Sequence, residues 1–152
     1  MPVVPGLRSC YAKVGPLVYF GRMLDKIRLS AAGQLPPEYE ANIGDARRFI
    51  FDARCCRFLG IRHADLRERT LRGGTDEEIL EWAFAHGTKR TDEDCTIWNQ
   101  FMMKLGWRDD RTPILQQRIQ EYGFVGRPIE TMFDLLEFDE GRDPSETKPW
   151  FE

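Results

Sequence analysis

Residues 16–32, with the sequence PLVYFGRMLDKIRLSAA, decide the fold that we predict for this chain. Apolar side chains recur there every three or four residues, which places them on one face of an α-helix. These side chains are Leu17, Phe20, Leu24, Ile27 and Ala31. Pro16 suits the first helical turn, and Gly33 suits the position that follows the last. We therefore predict a helix over residues 16–32 that packs against the core.

A second central helix is predicted over residues 45–59, with Asp45 as its N-cap and Gly60 as its stop. Apolar side chains occupy two sides of it, which is typical of a mostly buried helix. Five further helices follow from periodicity and capping residues, among them a capping box at Thr75 and Glu78. They cover residues 63–72, 75–86, 91–105 and 112–122, and a stretch from Pro128 to about residue 138.

The predicted fold class is all-α, an irregular single-domain helical bundle of about seven helices. Strand-like alternation is absent, and at most a minor extended segment is expected near residues 38–42. A chain of 152 residues fits one domain. We divide it into an extended N-terminal arm (1–15), the helical domain (16–138) and an acidic, loosely ordered C-terminal tail (139–152) that ends near Trp150 and Phe151.

Charge is unevenly distributed along the chain, although the net charge is only −3. Residues 46–72 carry eight arginines and three acidic residues, whereas residues 73–98 carry seven acidic and two basic residues. Residues 128–152 carry eight acidic and two basic residues. Either these blocks face each other within one fold, or the basic block forms an anion site or pairs with the acidic block of another chain. A net negative charge makes nucleic acid an unlikely partner.

Cysteine and histidine spacing indicates neither a metal nor a cofactor site, because no pair has the spacing of zinc ligands. The residues concerned are Cys10, Cys55, Cys56, Cys95, His63 and His86. The cysteines lie in apolar stretches, as expected of buried thiols in a reducing cytoplasm. No apolar run approaches the about 18 residues of a membrane span, and the first 20 residues do not resemble a secretory signal. We therefore expect a cytoplasmic protein without membrane contact.

Four short segments carry a family resemblance. They are GRMLDK at 21–26, FLGI at 58–61, TDEEILEW at 75–82 and WN at 98–99. In this order, over roughly residues 15–140, they resemble a bacterial family known as domain of unknown function 5069. The resemblance implies a small cytoplasmic bacterial domain, and it supplies neither catalytic residues nor a substrate.

Arg22 and Asp25 are the first candidate site. They project three residues apart along a second apolar strip of the first helix, marked by Val18 and Leu29. Either they form a desolvated structural ion pair, or Asp25 orients Arg22 to hold a carboxylate or phosphate. Lys26 lies further round the helix and is expected to be solvated.

Arg47 and Arg48 are the second candidate site. They follow Asp45 at the expected start of the second central helix, where free amides and the helix dipole favour anions. Asp45 competes for those amides as the N-cap, and Arg48 with Asp52 has the spacing of a surface pair. His63 and His86 are expected to be structural or solvated.

Three functions remain open at this point. The first is a protein-interaction or assembly module, expected to be a homodimer, and it rests on the opposed charge blocks, the absence of a catalytic motif and Trp150 and Phe151 as an anchor. The second is a small enzyme or small-anion-binding protein that uses Arg22 and Asp25. The third is an RNA-binding accessory that uses the arginines of 46–72, although an aromatic platform for single strands is not evident.

Overall fold

The structure is a computed structural model that describes residues 3–148. Two short strands, β1 (Lys13–Val14) and β2 (Leu17–Val18), precede the helices. The helices are α1 (Phe20–Ala31), a 3-10 helix (Pro37–Asn42), α2 (Phe51–Leu59), α3 (His63–Leu71), α4 (Asp76–His86), α5 (Asp92–Lys104), α6 (Thr112–Glu121), α7 (Met132–Asp139) and α8 (Pro144–Thr147). The all-α fold class is confirmed, and the seven expected helices are all present.

Helix α1 lies at the centre of the molecule. Its apolar side chains Phe20, Met23, Leu24 and Ile27 are fully buried, and α3 and β1 pack against it. Burial continues around the helix and includes its charged residues between positions 22 and 26. A central helix therefore carries charges into the interior, where each requires a partner.

Helix α1 begins at Phe20, so the expected start at Pro16 is wrong. Residues 16–18 instead belong to an antiparallel hairpin in which Val14 pairs with Leu17. The side chain of Asn99 holds this hairpin, since it accepts from the Val18 amide at 3.1 Å and donates to the Pro16 carbonyl at 2.7 Å. The pattern of apolar residues continued unbroken from strand to helix and concealed the boundary.

Helix α2 also begins later in the chain than expected. The helix begins at Phe51, and residues 43–50 form a loop. Asp45 does not cap α2; its carboxylate accepts from the backbone N–H of His63, at the start of α3, at 2.9 Å. The extended segment expected near 38–42 is also wrong, because a 3-10 helix over Pro37–Asn42 buries Tyr39.

Both ends of the described chain pack against the helices. Residues 3–15 bury Leu7, Cys10 and Tyr11. The segment from residue 139, which was expected to be loosely ordered, contains α8 and the fully buried Glu140. The Glu140 carboxylate forms an ion pair with Arg22 of α1. Trp150 and Phe151 lie outside the described residues. Over residues 3–148, each helix is too short or too polar to cross a bilayer.

Candidate anion-binding site

Arg22 is buried and forms an ion pair with Glu140 from the end of α7. Its two terminal nitrogens donate to the two carboxylate oxygens at 2.8 and 2.5 Å. The Tyr39 hydroxyl donates to the same carboxylate at 2.9 Å. Burial raises the pKa of Glu140, but the bonds from Arg22, Arg142 and Tyr39 outweigh it and hold that pKa below its ordinary value. This is a bidentate, charge-assisted pair in the interior.

Asp25 is not the partner of Arg22, so the expectation that the two hold each other is wrong. The carboxylate of Asp25 accepts from the Arg8 guanidinium at 2.8 and 3.0 Å, and from the Arg8 backbone N–H at 2.9 Å. Arg22 in turn donates to the Arg8 carbonyl at 3.0 Å. Residues three apart on α1 therefore face different elements, and the arm lies between them.

Lys26 is buried rather than solvated. Its ammonium donates to Asp52 Oδ1 at 2.6 Å, to the Asn42 carbonyl at 2.7 Å and to the Tyr19 hydroxyl at 2.9 Å. The Tyr19 hydroxyl donates to Asp52 at 2.7 Å. Burial lowers the pKa of Lys26, and the attraction of Asp52 offsets part of that shift. Asp52 is therefore an interior partner of Lys26, and the expected surface pair with Arg48 is wrong.

Tyr19 adopts a backbone conformation that side chains rarely take. It is the residue between β2 and α1, and its φ is 69°. Such a conformation costs about 1–3 kcal/mol and persists only where the surroundings determine it. Here a hydroxyl held by Lys26 and Asp52, and a ring packed against Phe51 and Phe133, fix the side chain. The strained turn places the Tyr19 ring at the wall of a cavity.

This cavity has a volume of about 350 Å³ and lies between α1, the 43–50 loop, α2, α6 and α7. Its apolar wall includes Ile50, Phe51, Leu105, Met132 and Leu136. Five arginines outside the core also line it, and we call them the arginine rim: Arg47, Arg48, Arg54, Arg111 and Arg118. No aspartate or glutamate is among the described residues that line it.

The arginine rim forms no ion pair with a carboxylate in the part of the chain that the structure describes. Among residues 3–148, none of its five guanidinium groups lies within 4 Å of an acidic side chain. Three of them surround the exposed ring of Phe49, at 4.7 Å for Arg111, 5.5 Å for Arg54 and 5.9 Å for Arg48. Burial, followed by repulsion from Arg111 and Arg57, lowers the pKa of Arg54. The rim is a cluster of positive charge without ion pairs within 4 Å among the described residues, although Asp110 attracts Arg54 from a greater distance.

Among residues 3–148, no ion pair within 4 Å joins an arginine of the basic block to a carboxylate of either acidic block. In the described part of the chain, Asp76 of the first acidic block pairs with Arg8 and Arg28. Glu140 of the second pairs with Arg22 and Arg142. The arginines of the basic block that do find carboxylates find them within that block, as in the Arg62–Asp65 pair. Helix α3 of the basic block does pack against α4 of the first acidic block, so the interpretation in which the blocks face each other stays a prediction. The arginines of the rim take no part in such an ion pair among the described residues.

Of the four residues expected at a site, Arg22, Arg47 and Arg48 line the cavity, whereas Asp25 does not. Arg47 and Arg48 lie on a loop rather than on the first turn of a helix. Sequence reasoning missed Arg111 and Arg118 because they are distant in the chain and carry no local motif. Arg54 lies inside the basic block, and that block was the one available signal.

His63 and His86 lie outside this cavity. The ring of His86 stacks on Trp82 at 4.8 Å, and the ring of His63 is buried beside Asp52. Over residues 3–148, no three His, Cys, Asp or Glu side chains are grouped as metal ligands would be.

Comparison with known proteins identifies a family but not an activity. The model of the family described as Domain of unknown function (DUF5069) matches residues 4–142. This match covers most of the chain and includes the N-terminal arm, so the chain belongs to that family, as its sequence motifs indicated. No curated protein matches it.

Proposed function

We propose that this DUF5069 domain binds a small organic anion in the cavity, with the anionic group at the arginine rim and an apolar body against the wall. The observation that carries the proposal is that, within residues 3–148, five arginines without a carboxylate within 4 Å line one cavity whose lining includes no acidic residue. Arginine offers a planar fork of donors that matches carboxylate and phosphate groups. We assign binding rather than catalysis, since the lysine and tyrosines among the described residues that line the cavity, Lys26, Tyr19 and Tyr39, are engaged in hydrogen bonds with other groups of the protein.

Clustered cations cost stability, and a bound anion removes that cost. Arg54 and Arg111 are half-buried, so their repulsion is less screened by solvent than that of surface charges. An anion that bridges them gains charge-assisted hydrogen bonds and relieves the repulsion at the same time. Binding to the folded state alone raises the melting temperature.

The volume and lining of the cavity restrict the ligand. About 350 Å³ is near the lower end of the range for small-molecule sites, about 300–1,000 Å³. The wall of aliphatic and aromatic side chains favours an apolar body, whereas a fully polar anion leaves that wall unused. An aromatic or branched carboxylate or phosphate ester satisfies both parts of the cavity.

Thermal shift and calorimetric titration with phenyl phosphate, benzoate and inorganic phosphate test the proposal. We expect phenyl phosphate or benzoate to raise the melting temperature more than inorganic phosphate does, because only the former two use the apolar wall. Arg111→Gln should weaken binding about tenfold or more, equivalent to about 1.4 kcal/mol. Arg67→Gln is the matched control, since Arg67 is an exposed arginine outside the cavity, and it should change affinity less than twofold.

Two outcomes contradict anion binding in the cavity. The first is the absence of any shift with all three probes. The second is an equal loss of affinity in Arg111→Gln and Arg67→Gln, which would indicate diffuse surface attraction. Tight binding of a single-stranded oligonucleotide without binding of phenyl phosphate would favour the RNA-binding function instead.

We also propose that the protein is a homo-oligomeric, protein-interacting domain of the bacterial cytoplasm. The four cysteines are free and buried, which supports a reducing compartment. Two large apolar side chains on α5, Ile97 and Phe101, are 64% and 49% exposed, which supports a contact with another protein surface. Light scattering tests self-association, and cell fractionation tests the compartment.

A further inference from the structure

Helix α5 presents an exposed face that has an acidic end, an apolar centre and a basic end. Glu93, Ile97, Phe101 and Lys104 are all exposed and follow one another at intervals of four, four and three residues. Residues at this spacing lie on the same side of a helix. The opposite side of α5, which includes Cys95, Asn99 and Met102, is buried in the core. The exposed face therefore belongs to a helix, α5, whose other side is packed in the core.

We propose that a second copy of this chain binds this face, with α5 antiparallel to α5 of the partner subunit about a two-fold axis. A two-fold contact uses the same patch on both copies, so the patch must be complementary to itself. An axis near residues 98–99 sets Ile97 opposite the partner subunit's Phe101. The same axis sets Glu93 opposite the partner subunit's Lys104, and each pairing occurs twice.

The surroundings of this face match such a contact. Arg54 lies over the Phe101 ring at 5.8 Å and so adds positive charge at the basic end. At the acidic end, Asp92, Glu93 and Asp94 of the first turn of α5 outnumber Arg90, which lines the groove beside Ile97. Opposite charges therefore meet at both ends of an antiparallel pair, whereas a parallel pair would bring like charges together at each end.

Other occupants fit the face less well. An acidic peptide or a single-stranded nucleic acid would meet repulsion from Asp92 and Glu93 at one end. The contact between two helices buries less surface than a standard interface, which buries about 800 Å² on each partner. We therefore expect a reversible dimer whose population depends on protein and salt concentration.

This inference rests on the proposed self-association and names its surface. Sedimentation of the full chain over about 1–200 μM should show a monomer–dimer equilibrium, and Phe101→Asp should abolish the dimer. Glu93→Lys and Lys104→Glu should each weaken the dimer about tenfold, because each places like charges opposite one another twice. The double variant should recover to within about threefold of the original, since it restores opposite charges with their signs exchanged.

Glu77→Lys on α4 is the matched control, because it reverses an exposed acid outside α5 and should change the dimer little. Circular dichroism confirms that each variant is folded. A second measurement uses oxidative cross-linking: Ile97→Cys mixed with Phe101→Cys should give the mixed disulfide in preference to either like pair.

The possible results separate the two proposals. A monomer at every concentration overturns both the self-association and its surface. A dimer that survives Phe101→Asp and both charge reversals leaves self-association standing and overturns the α5 contact. The antiparallel arrangement is overturned if the double variant does not recover the dimer and Ile97→Cys cross-links preferentially to itself.

Discussion

The charges on α1 and the arginine rim differ in the way their charge is balanced. Arg22 and Lys26 are buried, and each forms an ion pair with a carboxylate within the core. The rim arginines lie nearer to solvent around the same cavity, and in the described part of the chain they have no such partner. An unpaired charge at the buried positions of Arg22 and Lys26 would cost too much free energy, whereas the rim arginines can remain unpaired because solvent reaches them. Paired charges thus hold the fold, and unpaired charges are available to a ligand.

The largest effect should come from breaking the Arg22 pair. Arg22→Met leaves the buried Glu140 carboxylate without its main partner, and we expect the free energy of unfolding to fall by about 3 kcal/mol in urea titrations. The double variant Arg22→Met/Glu140→Leu removes both charges and should recover much of the loss. If Arg22→Met left the urea midpoint unchanged, the pair would not be a structural one.

A smaller effect is expected at the other paired charge. Tyr19→Phe removes the hydroxyl that donates to Asp52 and accepts from Lys26. A hydrogen bond to a charged group contributes about 1.5–3 kcal/mol, and we expect a loss in that range in urea unfolding. Tyr122→Phe, at an exposed tyrosine on the end of α6, is the matched control and should be neutral. Equal stability of both variants would show that Lys26 and Asp52 need no third group.

The stability of the protein should also depend on pH through His63, a buried side chain beside Asp52. Burial lowers its pKa below the ordinary value of 6.5, and this outweighs attraction by Asp52 and Asp45, while Lys26 and Arg67 lower it further. The unfolded chain therefore takes up a proton at His63 before the folded chain does, so stability falls as the pH drops below about 6.5.

His63→Gln removes this linkage. Between pH 7.5 and 5.5 we expect the urea midpoint of the original protein to fall more than that of His63→Gln. The reverse order would mean that protonated His63 gains a bond to Asp52, 3.9 Å from its Nε2, and that its pKa is raised rather than lowered.

The helices were predictable because apolar periodicity and caps agree along the chain, as at Thr75, whose hydroxyl accepts from the Glu78 backbone N–H at 3.2 Å at the start of α4. The starts of α1 and α2 were not, because the apolar pattern runs through the hairpin and the 43–50 loop. The pairing of Arg22 was beyond local reasoning, since Glu140 lies 118 residues away. The prediction that Lys26 is solvated was wrong because its position on the helix gives the direction of the side chain but does not show which other elements pack over it. Arg47 and Arg48 were predicted from a helix N-terminus that does not form there; they line the cavity from the 43–50 loop, and tertiary folding adds Arg111 and Arg118.

The smallest effect on stability should come from the arginine rim. Arg54 lies beside Arg111 and the exposed ring of Phe49, and its Nε donates to the Phe49 carbonyl at 3.3 Å. Arg54→Gln loses this weak bond and some packing, but it also removes a repelling charge. We therefore expect a change within about 0.5 kcal/mol, and a gain rather than a loss at low salt.

Salt separates the two contributions in Arg54→Gln. At about 1 M ionic strength the Debye length falls to about 3 Å, so repulsion within the rim is screened and the low-salt gain should disappear. Arg54→Lys retains the charge and serves as the control, since it should show no salt-dependent gain. A loss of more than 1 kcal/mol in Arg54→Gln at every salt concentration would mean that the rim holds the fold as Arg22 does. In that case the contrast between paired and unpaired arginines would fail, and with it the reason for assigning the rim to a ligand.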